Sequence, residues 1–336
     1  MKIGAFGEVM LRLTPPEYRL LEQTHTLRMD YTGTGVNILS NLAHFGLTTS
    51  MLTNVPDNRL GDAAKASLKN FGMQTDFVGR CHDHIGSYFA EVGFGARPTY
   101  VTYQNRRNSS FGVSDAAAYP LAEFLAAIDL VHICGISLSL TDQTWQAARK
   151  LAQQAHAQEK KVCFDFNFRP SLNTEAGKKA LMKARYEEIL PYCDIVFGSP
   201  RDLIELLKLT DQPVTTAAEE TTLIQTFLRQ YEIEWFAGTR RTTADDRQYL
   251  AGRLYTQTEA VETTPQLLKV LDRIGAGDAY AAGVLLGYAE SWSLAKTAEF
   301  AVTNAVLAHT IPGDVPLTTR AQVEQVMNHP GIDLIR

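Results

Sequence analysis

From about residue 128 onward, apolar strand-like runs alternate with helical segments, and this regularity restricts the possible folds more than any other feature. IDLVHICG (128–135) precedes a helical stretch at 142–158, and KVCFDFN (161–167) precedes another near 176–189. DIVFG (194–198), helices near 202–207 and 223–231, and EIEWFA (232–237) continue the series. Apolar strands separated by connections long enough for a helix predict an α/β fold: a mostly parallel sheet with helices on both faces. Ligands of such a sheet bind beyond the carboxyl ends of its strands. The places to look are therefore 7–8, 134–135, 165–169, 198–202, 238–241 and the GAGD that follows Val270 and Leu271.

The N-terminal third has a different pattern. Residues 2–7, 9–13 and 50–54 read as strands, 36–45 as a helix, and 59–71 as an amphipathic helix ended by Gly72. Between 75 and 103, runs such as SYFAEV and TYVTY alternate polar and apolar residues, as strands with one exposed face do. A small β-rich piece beside the main sheet is expected, within one domain spanning 1–336.

The 336 residues include 37 carboxylates against 32 Lys and Arg, a formal charge of −5. So weak a negative field favours neither nucleic acid nor an anionic membrane. No window approaches a membrane span, and MKIGAFGEVMLRL is interrupted by Glu8, unlike a signal peptide. The four cysteines, Cys81, Cys134, Cys163 and Cys193, lack metal-ligand spacing. Free thiols and a cytoplasmic location are expected.

The strongest local signal is VLDRIGAGDAYAAGVLLGY (270–288). Gly275 and Gly277 precede an Ala- and Leu-rich helix, and glycines at a helix start let backbone N–H groups approach an anion. Asp278 falls in the first helical turn. An isolated Asp there is equally a capping carboxylate. In phosphoryl transfer, however, one Asp beside a Gly-lined helix start supplies a base and an anion hole together.

DRIGAGDAYAAG closely resembles the C-terminal signature of the ribokinase-like (PfkB-type) sugar kinases, with its D-x-x-GAGD core. GEVMLRLTPPEYRLLEQ, YTGTGVNILSNLAHFG, VPDNRLGDAAKASLKNFGM, GSYFAEVG and FDFNFRPSL extend the resemblance along nearly the whole chain, towards the branch of 2-keto-3-deoxygluconate kinases. The resemblance implies a three-layer ribokinase-like sandwich with a small β lid drawn from about 9–33 and 75–110. It makes Asp278 the general base and the backbone of Gly275, Ala276, Gly277 and Asp278 the anion hole. Gly33, Thr34, Gly35 and Asn37 then meet the sugar, although Thr32 stands where the family has the first glycine of a pair. Thr34 alone reads equally as a helix cap.

The same resemblance places Tyr103, Arg106 and Arg169 on a keto acid, with Arg169 also reaching the transferred phosphate, and Tyr88 near the sugar, where it reads equally as an aromatic of the small sheet. A substrate carboxylate requires a cation, and a planar guanidinium suits it; solvated arginines on a hairpin are the alternative for Arg106. Asp314 in IPGD matches a sugar contact or forms a simple turn. On the nucleotide side the candidates are Asn167, Ser199, Gly238, Thr239, Gly275 and Gly277. The usual N-x-x-E is replaced by Ser199-Pro200-Arg201-Asp202, leaving Asp202 the one candidate near the metal. The implied cofactors are ATP and Mg²⁺, with a monovalent cation as a further candidate, and the implied assembly is a homo-oligomer through the lid. The expected activity is phosphorylation of 2-keto-3-deoxygluconate. A kinase of fructose, a pentose or a related keto acid, and a silent sugar sensor, are the alternatives. A NAD-dependent dehydrogenase is disfavoured, because GAFGEV after the first strand is no GxGxxG.

Overall fold

The computed structural model describes residues 1–329. Its strands, numbered along the chain, are β1 (Ile3–Phe6), β2 (Met10–Thr14), β3 (Arg28–Thr32), β4 (Thr49–Val55), β5 (Val78–Arg80), β6 (Ser87–Glu91) and β7 (Tyr100–Gln104). They continue as β8 (Leu130–Cys134), β9 (Lys161–Asp165), β10 (Ile195–Phe197), β11 (Trp235–Ala244), β12 (Arg247–Tyr255), β13 (Ala260–Glu262) and β14 (Gln266–Leu267).

The large sheet has the order β13-β12-β11-β10-β9-β8-β1-β4-β5, with β14 on β12. Every neighbouring pair from β11 to β5 is parallel. Successive side chains of a strand point to opposite faces, so β1 sends Ile3 and Ala5 into one apolar layer and Phe6 into the other. The second sheet, β3-β2-β6-β7, has antiparallel outer pairs around a parallel β2–β6 pair. The α/β class and the three-layer arrangement expected from the strand pattern are present.

Local chemistry sets the helix ends. Asn58 Oδ1 accepts from the N–H groups of Leu60 and Gly61 to start Arg59–Asn70. Gly72, with φ +86°, ends that helix in the left-handed region. Ala276–Ala289 is buried on nearly every side. Gly283 and Gly287 admit the helix Leu294–Ala308 at close range: a Cβ on Gly283 would lie 2.5 Å from Ala301 Cα. This packing anchors the helix that begins at the GAGD turn.

Several expectations need correction. β5 pairs with β4 in the large sheet, so 78–80 lies outside the small one. Only the WFA of EIEWFA is strand, the start of β11, which runs to Ala244 and folds back antiparallel onto β12. Its polar tip, RRTTADDRQ, concealed the hairpin. Val270 and Leu271 are exposed loop, so the GAGD follows no strand. The helix expected near 223–231 begins at Ala217, where Thr216 and Glu219 form a capping box. Helices Leu294–Ala308 and Arg320–Asn328 were not anticipated.

Candidate active site

A cleft of about 820 Å³ opens at the carboxyl ends of β9 and β10, beside Ala237, Gly238 and Thr239 of β11, and under the small sheet. Gly275, with φ +84°, turns the chain into the helix Ala276–Ala289. Only glycine fits there, because a Cβ would come within 1.8 Å of the Asp314 carbonyl oxygen. The first intrahelical bond runs from Ala279 N–H to Gly275 O. The N–H groups of residues 276–278 thus have no intrahelical acceptor, which is the physical basis of an anion site. Gly277 faces open space, while Ala276 is buried beside Ala279 and Ala308 and contributes only backbone.

Asp278 lies on the cleft, and Asn37 donates from Nδ2 to its Oδ2 at 2.6 Å. Burial pushes the Asp278 carboxyl up to about 8; Asn37 and Arg169 oppose the rise, and Asp165 and Asp314 add to it. Asp165 is likewise pushed by burial to about 7, with Arg169 opposing. A carboxyl poised near neutral pH suits a general base.

Behind Asn37 stands a buried polar chain. Thr32 donates to Asn37 Oδ1 and also lies 2.9 Å from Asp314 Oδ2. Arg12, fully buried on β2, donates to Asp272 at 2.6 Å and to Asp314. Burial alone would lower the Arg12 pKa, but Asp314 and Asp272 raise it above the ordinary arginine value. Tyr88 also donates to Asp314. The small sheet is thereby tied by charge to both sides of the GAGD turn.

Arg106 is not a free cation on a hairpin. It is 4% exposed, and its Nε and Nη2 donate to Glu8 Oε2 at 2.9 and 2.7 Å. Ser109 donates to the other Glu8 oxygen at 3.1 Å. Arg106 Nη1 is buried without a partner, and the Arg106 guanidinium lies 4.9 Å from the Tyr103 ring centre. Both residues line the cleft with Tyr88 and Arg169.

Asn167, Ser199, Asp202, Gly238 and Thr239, the residues expected to meet a nucleotide, line the same cleft. Asn167 takes φ +36° and donates its N–H to Asp165 at 3.0 Å. The Ser199 N–H and hydroxyl both donate to Asp202 Oδ2, at 2.7 and 2.8 Å, so this carboxylate caps its own helical turn. A Cβ on Gly238 would meet Gly198 O at 2.2 Å, so strand proximity alone requires that glycine.

Gly33, Thr34, Asn37 and Asp314 also line the cleft. Gly35 does not: its Cα packs against Ala5 and Met51 beneath the helix start. Sequence reasoning missed Glu8, Arg12 and Asp272 as partners. Arg12 carried a readable signal, a charge between apolar neighbours in MLRLT. Glu8 and Arg106 pair across 98 residues, and nothing local announces that contact. The four cysteines are free, and three are buried. Among the described residues no helix is long and apolar enough to cross a membrane.

The chain is 60% identical to a protein from Enterococcus faecalis whose crystal structure carries the provisional name 2-keto-3-deoxygluconate kinase. The TM-score is 0.98, and the match covers 100% of this chain and 99% of that one. A 2-dehydro-3-deoxygluconokinase from Thermotoga maritima matches with a TM-score of 0.91 at 27% identity, over 98% and 99% of the two chains. Among curated relatives, a 2-dehydro-3-deoxygalactonokinase from Haloferax volcanii is 25% identical over 340 residues, 99% of both proteins. Residues 2–319 match the pfkB family carbohydrate kinases, and the chain, with its GAGD turn at the floor of the cleft, belongs to that family of sugar kinases.

Proposed function

We propose that the protein transfers the γ-phosphoryl group of ATP to the 6-hydroxyl of 2-keto-3-deoxygluconate, with Asp278 as general base. The observation that carries the reading is the Asp278 carboxyl, held by Asn37 at the start of a buried helix and facing a cleft that also holds Arg106 and Arg169. Asp278 takes the hydroxyl proton as the sugar oxygen bonds to the γ-phosphorus. The bond from that phosphorus to the bridging oxygen breaks, and ADP leaves. The unpaired N–H groups after Gly275 stabilise charge on the moving phosphoryl group. Arg106 Nη1 and Arg169 receive the substrate carboxylate, which must lose its water on binding. The similarity to the E. faecalis protein supports the keto-deoxy acid over a neutral sugar.

Among the described residues, no group of three or more His, Cys, Asp or Glu side chains could cage a metal. That donor set fits Mg²⁺ arriving on ATP phosphates with its own waters. Asn167 and Asp202 would hold it through water, and the bound ion would neutralise phosphate charge. Asp272 and Asp314 share the single cation of Arg12, so the three groups carry a net negative charge when both carboxyls are ionised. Met29 and Tyr100 are exposed on one face of the small sheet, the face opposite Val101 and the cleft, which supports self-association through that face; light scattering tests it.

The deciding experiment measures ADP release with ATP and Mg²⁺ against the gluco and galacto keto-deoxy acids, a 5-keto acid and fructose. Phosphorus NMR of the product locates the ester. Preference for the gluco acid and loss of activity in excess EDTA are expected. Preference for fructose refutes the substrate assignment, and full activity in EDTA refutes the metal requirement.

A further inference from the structure

We propose that Thr32 is a positioning residue for Asp278, acting through Asn37, and that Arg12 and Tyr88 release its hydroxyl for this task. The inference rests on the reading above, in which Asp278 is the base. Thr32 ends β3, is 1% exposed, and lies behind the cleft wall. It stands where the resembled sugar motif has glycine, so its hydroxyl is a feature of this chain.

That hydroxyl has one proton to donate and two acceptors at 2.9 Å, Asn37 Oδ1 and Asp314 Oδ2. Asp314 does not depend on it. Arg12 donates to Asp314 Oδ1, and Tyr88 donates to Oδ2. The proton is therefore available to Asn37 Oδ1. With its oxygen engaged, Asn37 presents its nitrogen to Asp278 Oδ2 at 2.6 Å. The reversed amide would set Oδ1 against the Asp278 carboxylate, an acceptor facing an anion, and would be tolerated only with Asp278 protonated. The Thr32 hydroxyl thus selects the amide orientation that stabilises the ionised base.

Other groups face this chain from every side. Asp165, Arg169 and Asp314 act on Asp278, and Cys134 feels its charge. Arg12, Asp272 and Tyr88 surround Asp314. Of these contacts, Asn37 makes the side-chain hydrogen bond to Asp278, so disordering its amide has a direct effect on the base.

The test compares Thr32→Val, which keeps the shape, with Thr32→Ser, which keeps the hydroxyl. Turnover, both KM values and the pH profile are measured with ATP and the preferred sugar acid. A neutral hydrogen bond is typically worth enough for a roughly 2- to 12-fold effect. Thr32→Val should lower kcat by that factor and leave both KM values within about twofold. It should also move the acid limb of the profile up by about 0.4 to 1 pH unit. Thr32→Ser should restore both. Should Thr32→Val fail to fold, Thr32→Ala carries the same measurements without a branched side chain against Asp314. Wild-type kcat with an unmoved acid limb in Val or Ala overturns the inference, as does a Ser variant impaired like Val. Failure of the wild-type protein on every sugar acid would instead remove the functional reading itself.

Discussion

Replacing Arg106 by Met separates the ion pair that its guanidinium makes with Glu8 from the substrate contact proposed for it. Arg106 and Glu8 side chains are each 3% exposed. Removing the cation leaves the Glu8 carboxylate buried with only the Ser109 hydroxyl, 3.1 Å away, in its place. Breaking one side of a buried ion pair costs about 3 to 5 kcal/mol. Unfolding entropy of about 2.1 cal/mol/K per residue over 336 residues means about 0.7 kcal/mol per degree, so Tm should fall by about 4 to 7 °C. The proposed substrate contact runs through Nη1, the nitrogen without a partner. Losing a charge-assisted contact costs about 1.5 to 3 kcal/mol, raising the sugar-acid KM roughly 10- to 150-fold with little change for ATP. Adding Glu8→Gln to Arg106→Met removes the stranded charge, so Tm should return most of the way while KM stays high. Calorimetry and initial-rate kinetics on the single and double variants read both effects. A single variant melting within 1 °C of wild type would refute the buried-pair argument, and a sugar-acid KM that changes less than twofold would refute the carboxylate contact.

Asp278→Asn should lower turnover by about 10² to 10⁴ with ATP affinity nearly intact; more than a tenth of wild-type activity would remove Asp278 as the base. Because its carboxyl titrates near 8 in the folded protein and at 3.8 in the reference state, the unliganded fold holds that proton more tightly than the unfolded chain does. Its contribution to stability is thus present at low pH and lost as pH rises from about 4 to 8. Melting curves should show this slope shrinking in Asp278→Asn, and an identical slope would contradict the burial argument. Asp165, pushed to about 7, contributes a remaining slope of the same sign. Gly275→Ala forces a side chain at φ +84° to within 1.8 Å of the Asp314 carbonyl. It should cost about 2 to 4 kcal/mol and weaken ATP binding, as denaturant titration and calorimetry would show; wild-type values in both would show that the turn can relax.

What the sequence alone determined was whatever depends on neighbours along the chain. The alternation of apolar strands and helices after residue 128 yielded the parallel sheet, since side-chain periodicity is a local property of each segment. The GAGD before an Ala-rich run located the helix start at which Asp278, Asn37 and Arg169 converge. Residues 78–80 escaped because a three-residue strand carries no sign of which sheet it joins. The β11–β12 hairpin escaped because its tip is polar and solvated, outside the core that periodicity reports. Tertiary structure alone decided the partners of charge. Arg106 meets Glu8 because β1 ends where the small sheet folds over it, and Arg12 meets Asp272 and Asp314 across 260 and 302 residues. A buried charge is stable only beside an opposite one. The identity of that opposite charge depends on which segments the fold brings together, and for these arginines the choice lies far along the chain.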